Sequence, residues 1–207
     1  EEVKTLFHEF GHIMHQTLTR AKYATFSGTN VKTDFVEAPS QMLQNWVWEK
    51  EGLQKLSGHY KDPSKKLPDD LIEKMIRAKN LDAGIHYLRQ ASFASIDMDF
   101  HTSGAVDTTE VYKKRTEEIM MIPITDGTLP QSSFGHLMGG YDAGYYAYLW
   151  SEVYANEMFN RFSSEGLFNQ KTGKDYAKWI LEPGGGPEPL DLIVGFLGRK
   201  PNSKAFL

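Results

Sequence analysis

Cysteine is absent from all 207 residues, so neither a disulfide nor a thiolate metal site can form; histidine and carboxylate are the strong metal ligands left. The absence fits a reducing compartment. No apolar run approaches the ~20 residues a helix needs to cross a bilayer, and the N-terminus lacks a basic-then-apolar targeting segment. A long basic run is missing too: Lys+Arg 23 against Asp+Glu 27 gives a net charge of -4, which argues against nucleic acid or an anionic membrane as partner. There is no internal repeat and no low-complexity tract. What remains is a globular composition, 40% hydrophobic, long enough for one compact domain with a substantial core. Glu1 is not an initiator, and a helical pattern already runs at Val3 without a capping residue ahead of it. The chain therefore reads as a fragment of something longer.

Chemistry concentrates first in His8-Glu9-Phe10-Gly11-His12, which matches the pattern H-E-x-x-H. At about 3.6 residues per turn, positions 8 and 12 lie one turn apart and about 40° apart around the axis, so both rings can reach one ion. Glu9 stands beside them without being a ligand. The competing reading is a charged helix whose histidines meet only water. Helical phase argues against core histidines: Val3, Leu6, Phe7, Phe10, Ile13 and Met14 form an apolar stripe, and His8 and His12 fall about 160–200° away from it.

Helix dominates the rest. After the turn cluster Phe26-Ser27-Gly28-Thr29-Asn30, a second helix is expected from Thr33 or Asp34 to about Glu51. The stretch 61–68 reads as an exposed linker, followed by helical patterns over about 69–100 and 108–121. Glycine and proline break the pattern over 123–140, a natural place for functional groups. A helix capped by Asp142 is expected over 142–164, with shorter helices over 175–181 and 190–197 and a Gly184–Gly186 run read as a helix connection. The regions are thus 1–51 with the metal helices, 69–121, 123–164 with the glycine-rich loop and a tyrosine helix, and 173–207.

Catalytic zinc sites keep three protein ligands plus water, so a third ligand is required. His15 shares the face of His8 and His12 but lies roughly 10 Å along the axis from His8, too far to coordinate the same ion. The continuation H-x-x-G-x-x-H fails, since positions 15 and 18 are His15 and Leu18. Asp34, Glu37 and Glu49 remain, and Glu37 is preferred. Against it stands a capping box over Asp34-Phe35-Val36-Glu37, in which Glu37 would only tie down a backbone N–H; spacing leaves the two open.

Tyr141, Tyr145 and Tyr148 recur at helical spacing, a stripe that fits either a core or a wet cleft needing hydroxyl partners. Asp97, Asp99 and His101 are spaced by two, which points them to different helix faces and reads as a solvated patch. His59 and His86 have no partner in the sequence.

Four stretches in order carry a family resemblance: Phe7-His8-Glu9-Phe10-Gly11-His12, 26–31 (FSGTNV), 34–43 (DFVEAPSQML), and Phe134-Gly135-His136-Leu137 through Tyr148-Leu149-Trp150-Ser151-Glu152-Val153. Together they resemble the thimet oligopeptidase, neurolysin and oligopeptidase A family of zinc metallopeptidases, across essentially the whole chain. The resemblance implies a mainly α, zincin-like catalytic region forming a deep channel with a large upstream part. It places one Zn²⁺ on His8, His12 and Glu37, and the general base on Glu9. It gives His136, Tyr141, Tyr145 and Tyr148 substrate or transition-state contacts, with His136 and Tyr145 foremost for the latter, and it gives the glycine-rich loop, Gly139 and Gly140 included, a substrate-binding role.

Two departures stand out. Gln44 sits where the family usually has a glutamate that would orient a ligand histidine, and Ala147 sits where it commonly has glycine, with Gly144 replacing a larger residue. The expectation is a zinc endopeptidase of short oligopeptides, cytoplasmic with an organellar location open. Glu9 would take a proton from metal-activated water and pass it to the leaving amine. The alternatives are a peptidyl-dipeptidase on the same scaffold, or a zinc- and peptide-binding fragment without turnover. Manganese or cobalt also suits such a donor set.

Overall fold

A computed structural model describes all 207 residues. The expected helical class holds: the chain is built from helices and turns, and its sheet-like pairing is an isolated bridge between His59 and Asp62. No helix is long and apolar enough to cross a membrane. Two compact units form, residues 1–81 with 151–207, and residues 82–150.

The first unit opens with α1 (Glu2–Thr17), followed by α2 (Thr33–Val36), α3 (Ala38–Leu43), a 3₁₀ turn over Gln44–Trp48, α4 (Lys50–Leu56) and α5 (Asp69–Ala78). The single helix expected over 33–51 is therefore broken at Glu37, with a further break at Glu49, where the backbone is extended. From 151 onward the unit contains most of α8 (Ala147–Glu165), α9 (Gln170–Tyr176), a π turn over Ala177–Leu181 and α10 (Pro189–Leu197). Its core is a contiguous apolar cluster: Phe35, Ala38 and Met42 meet Ala155, Met158 and Phe162 of α8, and Leu192, Ile193 and Phe196 of α10. The α8 residues recur at i, i+3 and i+7, a stripe that one helix face can bury. Trp46 packs edge-on against Phe159 and Phe162, and its indole N–H donates to the Leu167 carbonyl at 3.2 Å. Asn169 caps α9 by accepting from the amides of Lys171 and Thr172, and α10 starts with Pro189 and ends at left-handed Gly198.

Two predictions from phase and spacing are corrected here. In α1, Phe7 and Met14 pack on the core, but Val3, Leu6, Phe10 and Ile13 are exposed, while Gly11 and His15 are buried. Within this chain the inward face of the helix lies against α3. A Cβ on Gly11 would stand 2.5 Å from the Ser40 Cα, so only a bare backbone lets the two helices come this close. The Gly184–Gly186 run is likewise more than a connection: the Gly185 amide donates to the Phe26 carbonyl at 2.8 Å, and side chains at 184 or 185 would collide with the carbonyls of Phe26 and Asn30.

The second unit comprises α6 (Ala83–Thr102), α7 (Thr108–Met120), 3₁₀ turns over Pro130–Ser133 and Gly135–Met138, further turns over 141–146 and the start of α8. The single helix expected over 69–100 is two, separated at Asp82, whose φ of 57° is left-handed. Asp107 caps α7 through the amides of Thr109 and Glu110. The Arg115 guanidinium of α7 clasps the Asp99 carboxylate of α6 through two N–H groups. Ile96, Tyr112, Phe134 and Tyr145 form the buried centre, with Phe93, Phe100, Leu137 and Tyr148 around it. Asp142 does not begin a helix: the segment is a series of turns, and α8 starts only at Ala147.

Gly11→Ala is expected to destabilise the protein by ~1–3 kcal/mol, because the added methyl meets backbone atoms that cannot swing aside as a side chain would. Thermal unfolding checks this. A melting temperature equal to or above that of the parent would contradict the close α1–α3 contact.

Candidate metal centre

Helix α1 delivers His8 and His12 to one side, one turn apart, with their rings edge to face and centroids 5.0 Å apart. Glu37 comes from the joint between α2 and α3. It is the C-cap of α2 and the N-cap of α3, with its side chain 6% exposed. Its Oε2 lies 3.2 Å from His8 Nε2 and 3.3 Å from His12 Nε2. The capping-box alternative does not hold, since α2 is capped by Lys32 rather than Asp34 and no side chain caps it.

These spacings suit a cation. Ligand atoms about 2.0–2.1 Å from a tetrahedral ion sit about 3.3 Å from one another. The donor atoms of His8, His12 and Glu37 all lie within 4.8 Å of one another, and both imidazoles keep an open edge, with side chains 23% and 25% exposed. The local electrostatics ask for positive charge in the same place. The hydrogen bond to Glu37 raises the His12 pKa above 6.5, burial opposes it, and the charges of Glu37 and Glu9 add to it. A proton there stands where a metal ion would serve the same carboxylate.

Several neighbours fix this geometry. Ser40 is fully buried, and its hydroxyl lies 2.9 Å from the Glu37 carbonyl and 3.1 Å from Glu37 Oε2, so its single proton serves one or the other. Ser151 of α8 donates to the Asp34 carbonyl at 2.8 Å, pinning the short helix that ends at Glu37. Neither serine was marked by its sequence context as a support for the site. Gln44 opens the 3₁₀ turn that packs on α1. Glu9 is exposed on α1 between the two histidines.

His15, excluded as a ligand by its distance along the helix, is a core residue. It is fully buried, edge-on to Phe35, and neither ring nitrogen has a hydrogen-bond partner. Burial, with a smaller contribution from His12, lowers its pKa from 6.5 to about 4.

In the second unit, the rings singled out in the glycine-rich region do assemble. His136 lies 5.9 Å from Tyr141, 5.2 Å from Tyr145 and 5.7 Å from Tyr148, centroid to centroid, and Tyr141 stacks on Tyr148 at 4.8 Å. Their environments differ. His136, Gly139 and Gly140 are exposed and Tyr141 and Tyr148 half-buried, whereas Tyr145 is buried and its hydroxyl donates to Gln90 at 3.1 Å. Burial, chiefly, pushes the Tyr145 pKa up to about 12. Ala147 is fully buried, so the alanine fits where the resemblance leads one to look for glycine.

Asp97 is not part of a solvated patch. It is fully buried and accepts the amides of Ala143 and Tyr145, each at 2.9 Å, with His101 Nδ1 3.0 Å away. Its phase with Phe93, Ile96 and Phe100 was the available signal, an acid set into an apolar helical stripe. His59 and His86 are exposed and join no donor cluster.

A helical chain that pairs H-E-x-x-H with a buried carboxylate from the next helical segment has the donor set of a metallopeptidase. Residues 1–207 match Peptidase family M3, and the chain belongs to that family. It is 47% identical over 211 residues to the thimet-like oligopeptidase of Dictyostelium discoideum, covering 100% of this chain and 31% of that protein. Identity to oligopeptidase A of Escherichia coli (strain K12) is 42% over 214 residues, again 100% of this chain and 31% of the relative. Saccharolysin of Saccharomyces cerevisiae is 39% identical over 213 residues, 100% of this chain and 30% of that protein. The chain thus spans about a third of the length of these relatives.

For His15 the sign of the pH dependence is fixed: the unfolded imidazole binds a proton below about 6.5 and the buried one only near 4, so stability falls as pH drops through that window. His12 works in the opposite sense, so a comparison with His15→Leu isolates the effect. Between pH 7 and pH 5 the chelator-treated parent is expected to lose about 2 kcal/mol more stability than His15→Leu, measured by urea unfolding. Equal losses would show that His15 is not held neutral.

Proposed function

We propose that this chain carries the catalytic centre of a zinc-dependent endopeptidase that cleaves internal bonds of short oligopeptides. The observation that carries the reading is the buried Glu37 carboxylate with an imidazole nitrogen on either side at 3.2 and 3.3 Å. Membership of Peptidase family M3 and relatives named oligopeptidases support the reaction class and the peptide substrate. The lack of cysteine is compatible with a cytoplasmic setting.

His8, His12 and Glu37 would hold the ion. When bound, zinc polarises a carbonyl and lowers the pKa of water to about 7. The steps assigned to side chains begin with Glu9, whose neighbour His12 already feels its charge. Glu9 takes a proton from the attacking water and returns it to the departing amine, a role worth typically ~10²–10⁴ in rate. The oxyanion developing on the substrate carbonyl needs a donor. Of the rings that the family resemblance offers, Tyr145 already spends its hydroxyl proton on Gln90. The resemblance puts His136 and Tyr145 foremost for that role, Tyr145 once its hydroxyl turns from Gln90, with Tyr141, Tyr148, Gly139 and Gly140 left to substrate contacts. No free-carboxylate anchor stands out to favour a peptidyl-dipeptidase, so the endopeptidase reading is kept.

Glu9→Gln is expected to retain bound metal while kcat on an internally quenched peptide falls by ~10²–10⁴ in the protein that carries this chain at its natural length. Metal analysis and steady-state kinetics check both halves. Unchanged kcat in a metal-replete variant would remove Glu9 as the base and favour a binding role for the fold.

A further inference from the structure

We propose that Asp97 is a positioning residue for the ring cluster of the second unit, fixing the turn ahead of α8 so that Tyr148 and His136 are held in one arrangement. The proposal rests on the peptidase reading for its effect on turnover, but the clamp itself stands on geometry alone.

Asp97 lies on α6 in phase with Phe93, Ile96 and Phe100, so its carboxylate is carried inward with the apolar stripe. A buried carboxylate persists only where it is hydrogen-bonded. Here Oδ1 accepts the Ala143 amide and Oδ2 the Tyr145 amide, both at 2.9 Å, and Oδ1 also lies 3.0 Å from His101 Nδ1. The two amides belong to the turns that lead into α8, ahead of its first residue, Ala147. The carboxylate that satisfies them comes from a helix, 46 and 48 residues earlier in the chain.

The turn needs holding. Ala143 has φ of 54°, a left-handed conformation that a residue with a Cβ adopts rarely and keeps only under tertiary constraint. Successive turns then follow, Gly144 N–H to the Tyr141 carbonyl at 2.9 Å and Ala147 N–H to the Gly144 carbonyl at 3.0 Å. Gln90, two turns before Asp97 on α6, accepts the Tyr145 hydroxyl. Helix α6 thus grips Tyr145 at both ends, its amide through Asp97 and its hydroxyl through Gln90. The Tyr145 ring sits 5.2 Å from both His136 and Tyr148, so its placement sets theirs. In this scheme Tyr145 braces the cluster and Asp97 fixes the brace.

Asp97→Asn preserves shape but turns one acceptor into an NH₂ group facing an amide N–H. In the protein that carries this chain at its natural length, kcat is expected to fall by ~10²-fold with KM within about twofold, the signature of misplaced groups rather than lost binding. Metal content should stay at the parental level, and amide hydrogen exchange should accelerate within 141–146 but not in α1 or α3. Parental kcat, a change confined to KM, or a loss of turnover accompanied by metal release and exchange across the whole chain would each overturn the proposal. The parent protein gives an independent test that survives a variant that does not fold. Its amides at Ala143 and Tyr145 should exchange far more slowly than those of the exposed turn at 126–128, and exchange at the same rate would overturn the clamp. Glu9→Gln assayed in parallel separates the two readings: full activity there refutes the peptidase mechanism, while the exchange data still decide Asp97.

Discussion

A carboxyl group placed where water scarcely reaches, that of Glu37, is the constraint around which the candidate metal centre is arranged. Burying a carboxylate is unfavourable unless charge or hydrogen bonds answer it. The answer here is drawn from two imidazoles of α1 and a serine hydroxyl of α3, with a donor spacing that suits a cation. Each contributor imposes something on the fold. The imidazoles require α1 to run against α3, which requires Gly11 to have no side chain. The carboxylate requires a break between α2 and α3, and the break is pinned from α8 through Ser151.

The same requirement orients α1. Val3, Leu6, Phe10 and Ile13 are exposed in this chain, which spans about a third of the length of its relatives. The face turned inward carries Gly11 and His15, with the partly open His8 and His12 at its edge. His15 then lies in the core as a neutral ring, with two unsatisfied nitrogens.

What could be read from the sequence was what depends on nearby residues. The turn-spaced histidines and the helical class follow from periodicity, and the failure of His15 as a ligand follows from the rise of a helix. Glu37 was ambiguous because a capping box and a ligand can share one spacing. The capping reading fails because α2 begins at Thr33, with Lys32 rather than Asp34 at its N-cap position. The break at Asp82 was passed over although Asn80 and Gly84 flank it, and the late start of α8 was hidden by a helical pattern running through turns that α6 holds in place. Asp97 was misread because a spacing of two from Asp99 and His101 drew attention to a cluster, when its phase with Phe93, Ile96 and Phe100 was the informative relation. For Tyr145 the motif names the aromatic, and the fold adds the partner of its hydroxyl, Gln90.

The central claim is that three side chains, two from one helix and one from a helix joint, grip a single divalent ion. X-ray absorption at the zinc edge, on the chain stripped with chelator and reloaded with one equivalent of zinc, tests it most directly. The account predicts one tightly held zinc per chain, with two imidazole nitrogens at about 2.0–2.1 Å and a carboxylate oxygen in the same shell. Zinc that washes away on dialysis, or a shell of oxygens without imidazole, would contradict it.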